Sequence, residues 1–200
     1  MARDRNEAVN SYITDMLALE DHIEKAVRSQ LTDLEKYPDV VTELKQVHRK
    51  IEHHIADLRT LSDRRNAGGV VESVKRAGSA VAGVAAGLID LVRTEGLPKN
   101  LRDDYTAFSL ASIGYVMLHT TALALDDQEV AELAQQHFRD YADAVVRFNA
   151  FVPAAVVRFL ENEGLTVRSD VVQQVNRTVE EAWKQASESP AAEQTLTRQL

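Results

Sequence analysis

Two hundred residues, 44% of them hydrophobic, suffice for one domain that buries its own core without disulfides or metals. Cysteine is absent, which excludes disulfides, thiolate chemistry and cysteine-ligated metals and fits a reducing, cytoplasmic setting. The net charge of -8, with both signs interspersed, argues against nucleic acid, and the polar start from Met1 to Glu7 against secretion.

The first predicted helix runs over Asn6–Lys36, with an apolar stripe of Val9, Tyr12, Ile13, Met16, Leu19, Ile23, Val27, Leu31 and Leu34 at helical spacing. Tyr37-Pro38-Asp39 turns it into a second, whose inward face is Val41, Leu44, Val47, Ile51, Ile55, Leu58 and Leu61. Asn66-Ala67-Gly68-Gly69 stops that helix. A helical connection over Val70–Arg93 follows, closed by Thr94-Glu95-Gly96-Leu97-Pro98. Its uncharged middle, Ala77–Ile89, carries Ser79, Gly83 and Gly87 four apart, a spacing that lets another helix approach closely.

The third long helix, Leu101–Leu125, has no Asp, Glu, Lys or Arg between Asp104 and Asp126. A helix apolar all round is expected to be buried on every side. Its length would also span a membrane, but Thr and Ser dilute it and Asp103, Asp104, Asp126 and Asp127 flank it without basic anchors, so membrane contact is not expected. Asp126-Asp127 leads into Gln128–Asn149. Pro153 then opens a short helix closed by Gly164, and a last helix runs from Ser169 to about Gln185 with Val172, Val175, Val179 and Trp183 on one face. The class is all-α: one domain over 1–188 with a polar, flexible tail over 189–200. Short turns make the two hairpins antiparallel, and a connection of about 24 residues, about 36 Å if helical, can return along the whole bundle.

Glu20 projects to the centre of the first helix's stripe, His137 to the centre of the fourth's and His54 to the edge of the second's; His119 lies in the apolar third helix. Counted at 1.5 Å per residue from the turns, all four fall within roughly 3 Å of one level. Buried ionisable groups at one level are expected to be partners. His48 reads as a satisfied core histidine and His53 as solvated. No serine–histidine set or phosphate-binding glycine loop is apparent, which favours a non-enzymatic role.

Met16-Leu17-Ala18-Leu19-Glu20 resembles the start of ferritin-like proteins, and the layout is similar to bacterial stress-associated members of that superfamily. The resemblance covers about residues 6–165. It implies a four-helix bundle with one long crossover, and an iron-binding glutamate at Glu20. The family's Glu-x-x-His motifs would fall on Ile51-Glu52-His53-His54 and Ala134-Gln135-Gln136-His137. Both histidines are present, but Ile51 and Ala134 replace the glutamates and the third helix supplies none.

The leading expectation is therefore a non-catalytic, structural or stress-associated bundle without a cofactor. Its di-iron site would be degenerate, with Glu20 hydrogen-bonded to a histidine. The second is a metalloprotein holding one Zn²⁺, Fe²⁺ or Mn²⁺ ion through Glu20, His54, His119 and His137; a dinuclear site would have to recruit Glu24 or Glu52. The third is an interaction module using residues 77–89 to bind a partner or membrane surface. A homo-oligomer is expected, through the small-residue connection or the C-terminal helices.

Overall fold

The computed structural model describes residues 4–66, 96–168 and 170–188. The expected connection over Val70–Arg93 and the tail over 189–200 lie outside the described residues. Those described form five helices and no strand: α1 (Arg5–Asp33), α2 (Pro38–Asn66), α3 (Leu97–Ala124), α4 (Gln128–Asn162) and α5 (Val171–Ser187). The chain divides into two compact units, Met1–Val146 and Arg147–Leu200.

In the first unit, α1, α2, α3 and the first turns of α4 form a helical bundle. Asp4 caps α1 by accepting from the Asn6 N–H. The α3–α4 turn closes with Asp126 at a positive φ of 59° and the Asp127 N–H on the Ala122 carbonyl. Asp127 then accepts from the Val130 N–H and so caps α4.

Polar contacts fix the directions. Arg65 pairs with Asp127 at 2.8 Å and donates to Asn10 at 2.6 Å, so α2 ends where α1 and α4 begin and α3 ends. Gln30, near the end of α1, donates to Asp104, near the start of α3, at 2.7 Å. Hence α1 is antiparallel to both α2 and α3. The chain leaves α2 at one end of the unit and enters α3 at the other.

Two expected boundaries move. Gly96, at φ 100°, lets α3 start at Leu97 with Pro98 in its first turn, where a proline's missing N–H costs nothing; the Gly-Leu-Pro run opens a helix as well as closing one. In α4, Pro153 sits inside one continuous helix instead of opening a new one. It removes a single ladder donor while the apolar periodicity runs on through it. Gly164, at φ 80°, ends α4, with the Leu165 N–H on the Leu160 carbonyl.

α3 is not buried on every side. Leu101, Asp104, Phe108, Ala111, Tyr115, Leu118 and Ala122 form a buried stripe, while Ile113 is 54% and Met117 48% exposed. Only the stripe that alternates three and four faces the core. By length and composition alone α3 is also apolar enough to cross a membrane. Close to the bundle's middle, a Cβ on Gly114 would lie 2.7 Å from the Met16 Sδ, so the glycine lets α1 and α3 approach.

Candidate metal centre

Glu20 is completely buried on α1 and holds the bundle's middle together. Its Oε1 accepts from the Tyr115 hydroxyl of α3 at 2.6 Å and faces the His54 Nδ1 of α2 at 3.1 Å. Its Oε2 accepts from the Tyr141 hydroxyl of α4 at 2.5 Å. One carboxylate thus ties all four helices. Burial and the adjoining Glu20 charge push both tyrosines well above the ordinary phenol range, so each remains a donor.

His54 and His137 are each 1% exposed, and their rings stack with centroids 3.9 Å apart. Their outer nitrogens are held across the α2–α4 interface. His54 Nε2 lies 3.2 Å from Asp140 of α4, and His137 Nε2 lies 3.3 Å from Asp57 of α2. The sequences His54-Ile55-Ala56-Asp57 and His137-Phe138-Arg139-Asp140 carry the same His-x-x-Asp spacing. Each aspartate serves the histidine of the other helix. Because the two helices are antiparallel, one spacing generates both crossed pairs.

Charges outside the pair reinforce it. Lys50 reaches Asp140 at 3.0 Å and Asp143 at 3.2 Å, and His53, solvent-exposed, reaches Asp57 at 3.5 Å. Burial pushes the Asp140 carboxyl up, but bonds from Lys50 and His54 outweigh it and leave it below the ordinary value. Burial, together with the charge of His54, lowers His137 to about 3, against the upward pull of Asp57. His137 is therefore a neutral ring, and its buried Nδ1 has no hydrogen-bond partner.

Of the residues expected to meet, Glu20, His54 and His137 offer ligand atoms all within 4.8 Å of one another. His119 is elsewhere: its Nδ1 lies 2.8 Å from the Ala131 carbonyl, which it accounts for as a link from α3 to the first turn of α4. The α3 residue that reaches Glu20 is Tyr115. The reason is the earlier start of α3, since about 18 residues counted from Leu97 instead of Leu101 arrive at Tyr115. Ile51 and Ala134 are fully buried, so apolar side chains occupy the positions where a second metal would need carboxylates. Asp57, Asp140, Tyr115 and Tyr141 were not foreseen; the repeated His-x-x-Asp was the signal for the first two.

A second group, Glu24, His48 and Glu52, lies toward the surface. His48 Nε2 is 2.9 Å from Glu24, and Nδ1 is 3.6 Å from Glu52. Arg28 also meets the same Glu24 oxygen at 3.5 Å. With both ring nitrogens directed at different carboxylates and a guanidinium already paired with Glu24, the polar groups of this cluster already have partners within the protein.

No known family, curated protein or solved structure matches this chain.

Proposed function

We propose that this chain is a ferritin-like metalloprotein that binds one divalent transition-metal ion through Glu20, His54 and His137. The observation that carries the reading is the unpartnered Nδ1 of the buried His137, in a cluster whose outer imidazole nitrogens are already held by carboxylates. A carboxylate accepting from Nε2–H fixes the tautomer and leaves the Nδ1 lone pair for a metal, the usual arrangement around metal-ligating histidines. The His137–Asp57 pair does this, while His54 turns its Nδ1 to Glu20 at 3.1 Å. Two imidazoles and one carboxylate suit Zn²⁺, Fe²⁺ or Mn²⁺ and leave coordination positions open.

The ferritin-like assignment is supported by the antiparallel hairpins and by α2 ending and α3 beginning at opposite ends of the unit. Two ions do not fit, because Ile51 and Ala134 supply no bridging carboxylates. When bound, the ion would supply Lewis acidity to a ligand at its open positions. The three ligands are 0–1% exposed, which shuts bulky ligands out of the site. Tyr115 and Tyr141 hold the Glu20 carboxylate in place by donating their hydroxyls to it.

A second reading, a structural bundle without metal, has its own support. Glu20 already accepts from two phenols, and a His54 ring protonated on both nitrogens could satisfy Glu20 and Asp140 together. Metal content separates the two. Protein dialysed against Zn²⁺, Mn²⁺ or anaerobic Fe²⁺ should retain about one equivalent, lost in both Glu20→Ala and His137→Ala. Protein that retains none would leave the structural bundle, and two equivalents would contradict the role given to Ile51 and Ala134.

A further inference from the structure

α5 is seventeen residues long and has no buried residue. Yet its side chains are sorted by face. Val172, Val175, Val179, Ala182 and Ala186 recur at threes and fours, with Trp183 at the edge of the same stripe, 59% exposed. Arg177, Glu180, Glu181 and Lys184 lie on the opposite face at about 100° per residue. The flanks between these two faces carry only neutral residues such as Asn176, Thr178 and Gln185.

That charge pattern selects the occupant. A helix lying on an anionic membrane carries Lys and Arg beside its apolar stripe. A helix that selects a charged partner carries complementary charges on its flanks. Neutral flanks meet an identical helix without like-charge repulsion, so they fit a second copy of this chain.

The spacing along the helix points the same way. The first turns of α5 and the last turns of α4 enclose an apolar groove of about 370 Å³, lined by Pro153, Val156, Leu160, Val171 and Val175 among others, all of them aliphatic. Asn176 donates to the Ala150 carbonyl at 3.2 Å and fixes this end of α5 against α4. Val179 is the midpoint of α5, and Trp183 lies as far beyond it as Val175 lies before it. Two α5 helices packed antiparallel about Val179 would therefore bring the Trp183 of each copy to the Val175 groove of the other. An exposed aromatic anchor and an apolar pocket related by a two-fold axis form a self-complementary, closed interface.

We propose that α5 is a homodimerisation helix, pairing antiparallel with the α5 of a second copy across Val179 and seating each Trp183 in the opposite groove. A helix of this length, about 25 Å, makes a contact at the small end of specific interfaces, so the dimer is a weak one in the micromolar range.

Trp183 is the chain's one tryptophan and there is no cysteine, so both probes report on this face alone. Sedimentation of the full chain from about 1 to 500 μM should show a monomer–dimer equilibrium, with the tryptophan emission moving to the blue as dimer forms. Val179→Glu should lose the dimer and the blue shift while circular dichroism is unchanged. A chain that stays monomeric throughout would overturn the proposal, as would a dimer that survives Val179→Glu. Val179→Cys should cross-link with a short thiol-to-thiol reagent and Glu180→Cys should not; equal cross-linking would place the contact elsewhere. A blue shift produced by phosphatidylserine vesicles in a chain that does not self-associate would also overturn it.

Discussion

Two buried polar clusters among the described residues of the bundle, around Glu20 and around Asp104, solve burial in opposite ways. At its middle, two phenols donate to the Glu20 carboxylate and the His54 imidazole faces it at 3.1 Å. At the end where α3 begins, Asp104 has one donor, the Gln30 amide, and both its Oδ2 and the Gln30 Oε1 are buried without partners. In the first cluster both carboxylate oxygens have hydrogen-bond partners. The second keeps its place by holding a proton, since burial raises the Asp104 carboxyl to about 7, with Gln30 pulling it down and Asp103 pushing it further up. The two buried carboxyl groups thus differ in how many donors reach them, and the one with a single donor is the one whose acidity burial weakens.

The strongest way to break this contrast is to remove Glu20. Glu20→Ala leaves two buried phenols and His54 without their acceptor, and a cavity where four helices meet. The expected cost is about 3–5 kcal/mol, the range for breaking a buried charged network by deleting one partner. Urea denaturation of metal-free protein measures it. Asp104→Ala, which deletes a group held by a single bond, should cost clearly less; equal losses would abolish the distinction.

The crossed His-x-x-Asp pairs give the next largest effect. Asp57→Asn and Asp140→Asn should each weaken metal retention by about 10–100-fold, because each loosens one imidazole without removing a ligand. Asp57→Asn acts on His137 and Asp140→Asn on His54, so the double variant should lose about the product of the two. A variant pair without effect on metal retention would remove the support for metal binding that these aspartates provide.

Much of this was legible in the sequence because a helix repeats. The stripes of α1 and α2 were readable, and level-counting from the turns found Glu20, His54 and His137, since their helices begin where Tyr37-Pro38 and Asp126-Asp127 put them. The same counting failed on α3. Gly96-Leu97-Pro98 signals both an end and a beginning, and a four-residue displacement exchanged Tyr115 for His119. Asp57 and Asp140 were missed for another reason, although the repeated His-x-x-Asp spacing marked them. They stand off the apolar stripes and act across an interface, so periodicity within one helix carries no sign of them. The exposed residues of α3, such as Ile113 and Met117, show the limit of composition: an apolar residue is permitted, not compelled, to be inside.

Acidity sharpens the comparison further. In the unfolded chain Asp104 ionises near the ordinary carboxylate value, whereas the folded protein retains its proton up to about 7. Its contribution to stability is fully present below about pH 4 and is lost as pH rises toward 7. His137 in metal-free protein has the opposite sign. Its folded value is lowered to about 3, so its contribution is present above about pH 6.5 and lost as pH falls. The two slopes oppose one another between them. Asp104→Asn should remove the falling leg, leaving a variant about 1–3 kcal/mol more stable than the parent at pH 8 and near parity at pH 4. Chemical denaturation across that range checks both the sign and the window.

The smallest effect is expected at Lys50, which lies at the edge of the first cluster. Its ammonium bridges Asp140 and Asp143, and those bonds hold it above its ordinary value although partial burial pulls the other way. The side chain is 37% exposed, so solvent screens the pair and Lys50→Met should cost no more than about 1 kcal/mol. Its informative consequence is at a distance. Asp140 without Lys50 still accepts from His54 but loses the bond that helps hold its carboxyl below the ordinary value, so metal retention should weaken less than in Asp140→Asn and only at the acid end of the range. If Lys50→Met matched Asp140→Asn at neutral pH, the aspartate would be acting through its charge balance with Lys50 and not through its bond to the His54 ring.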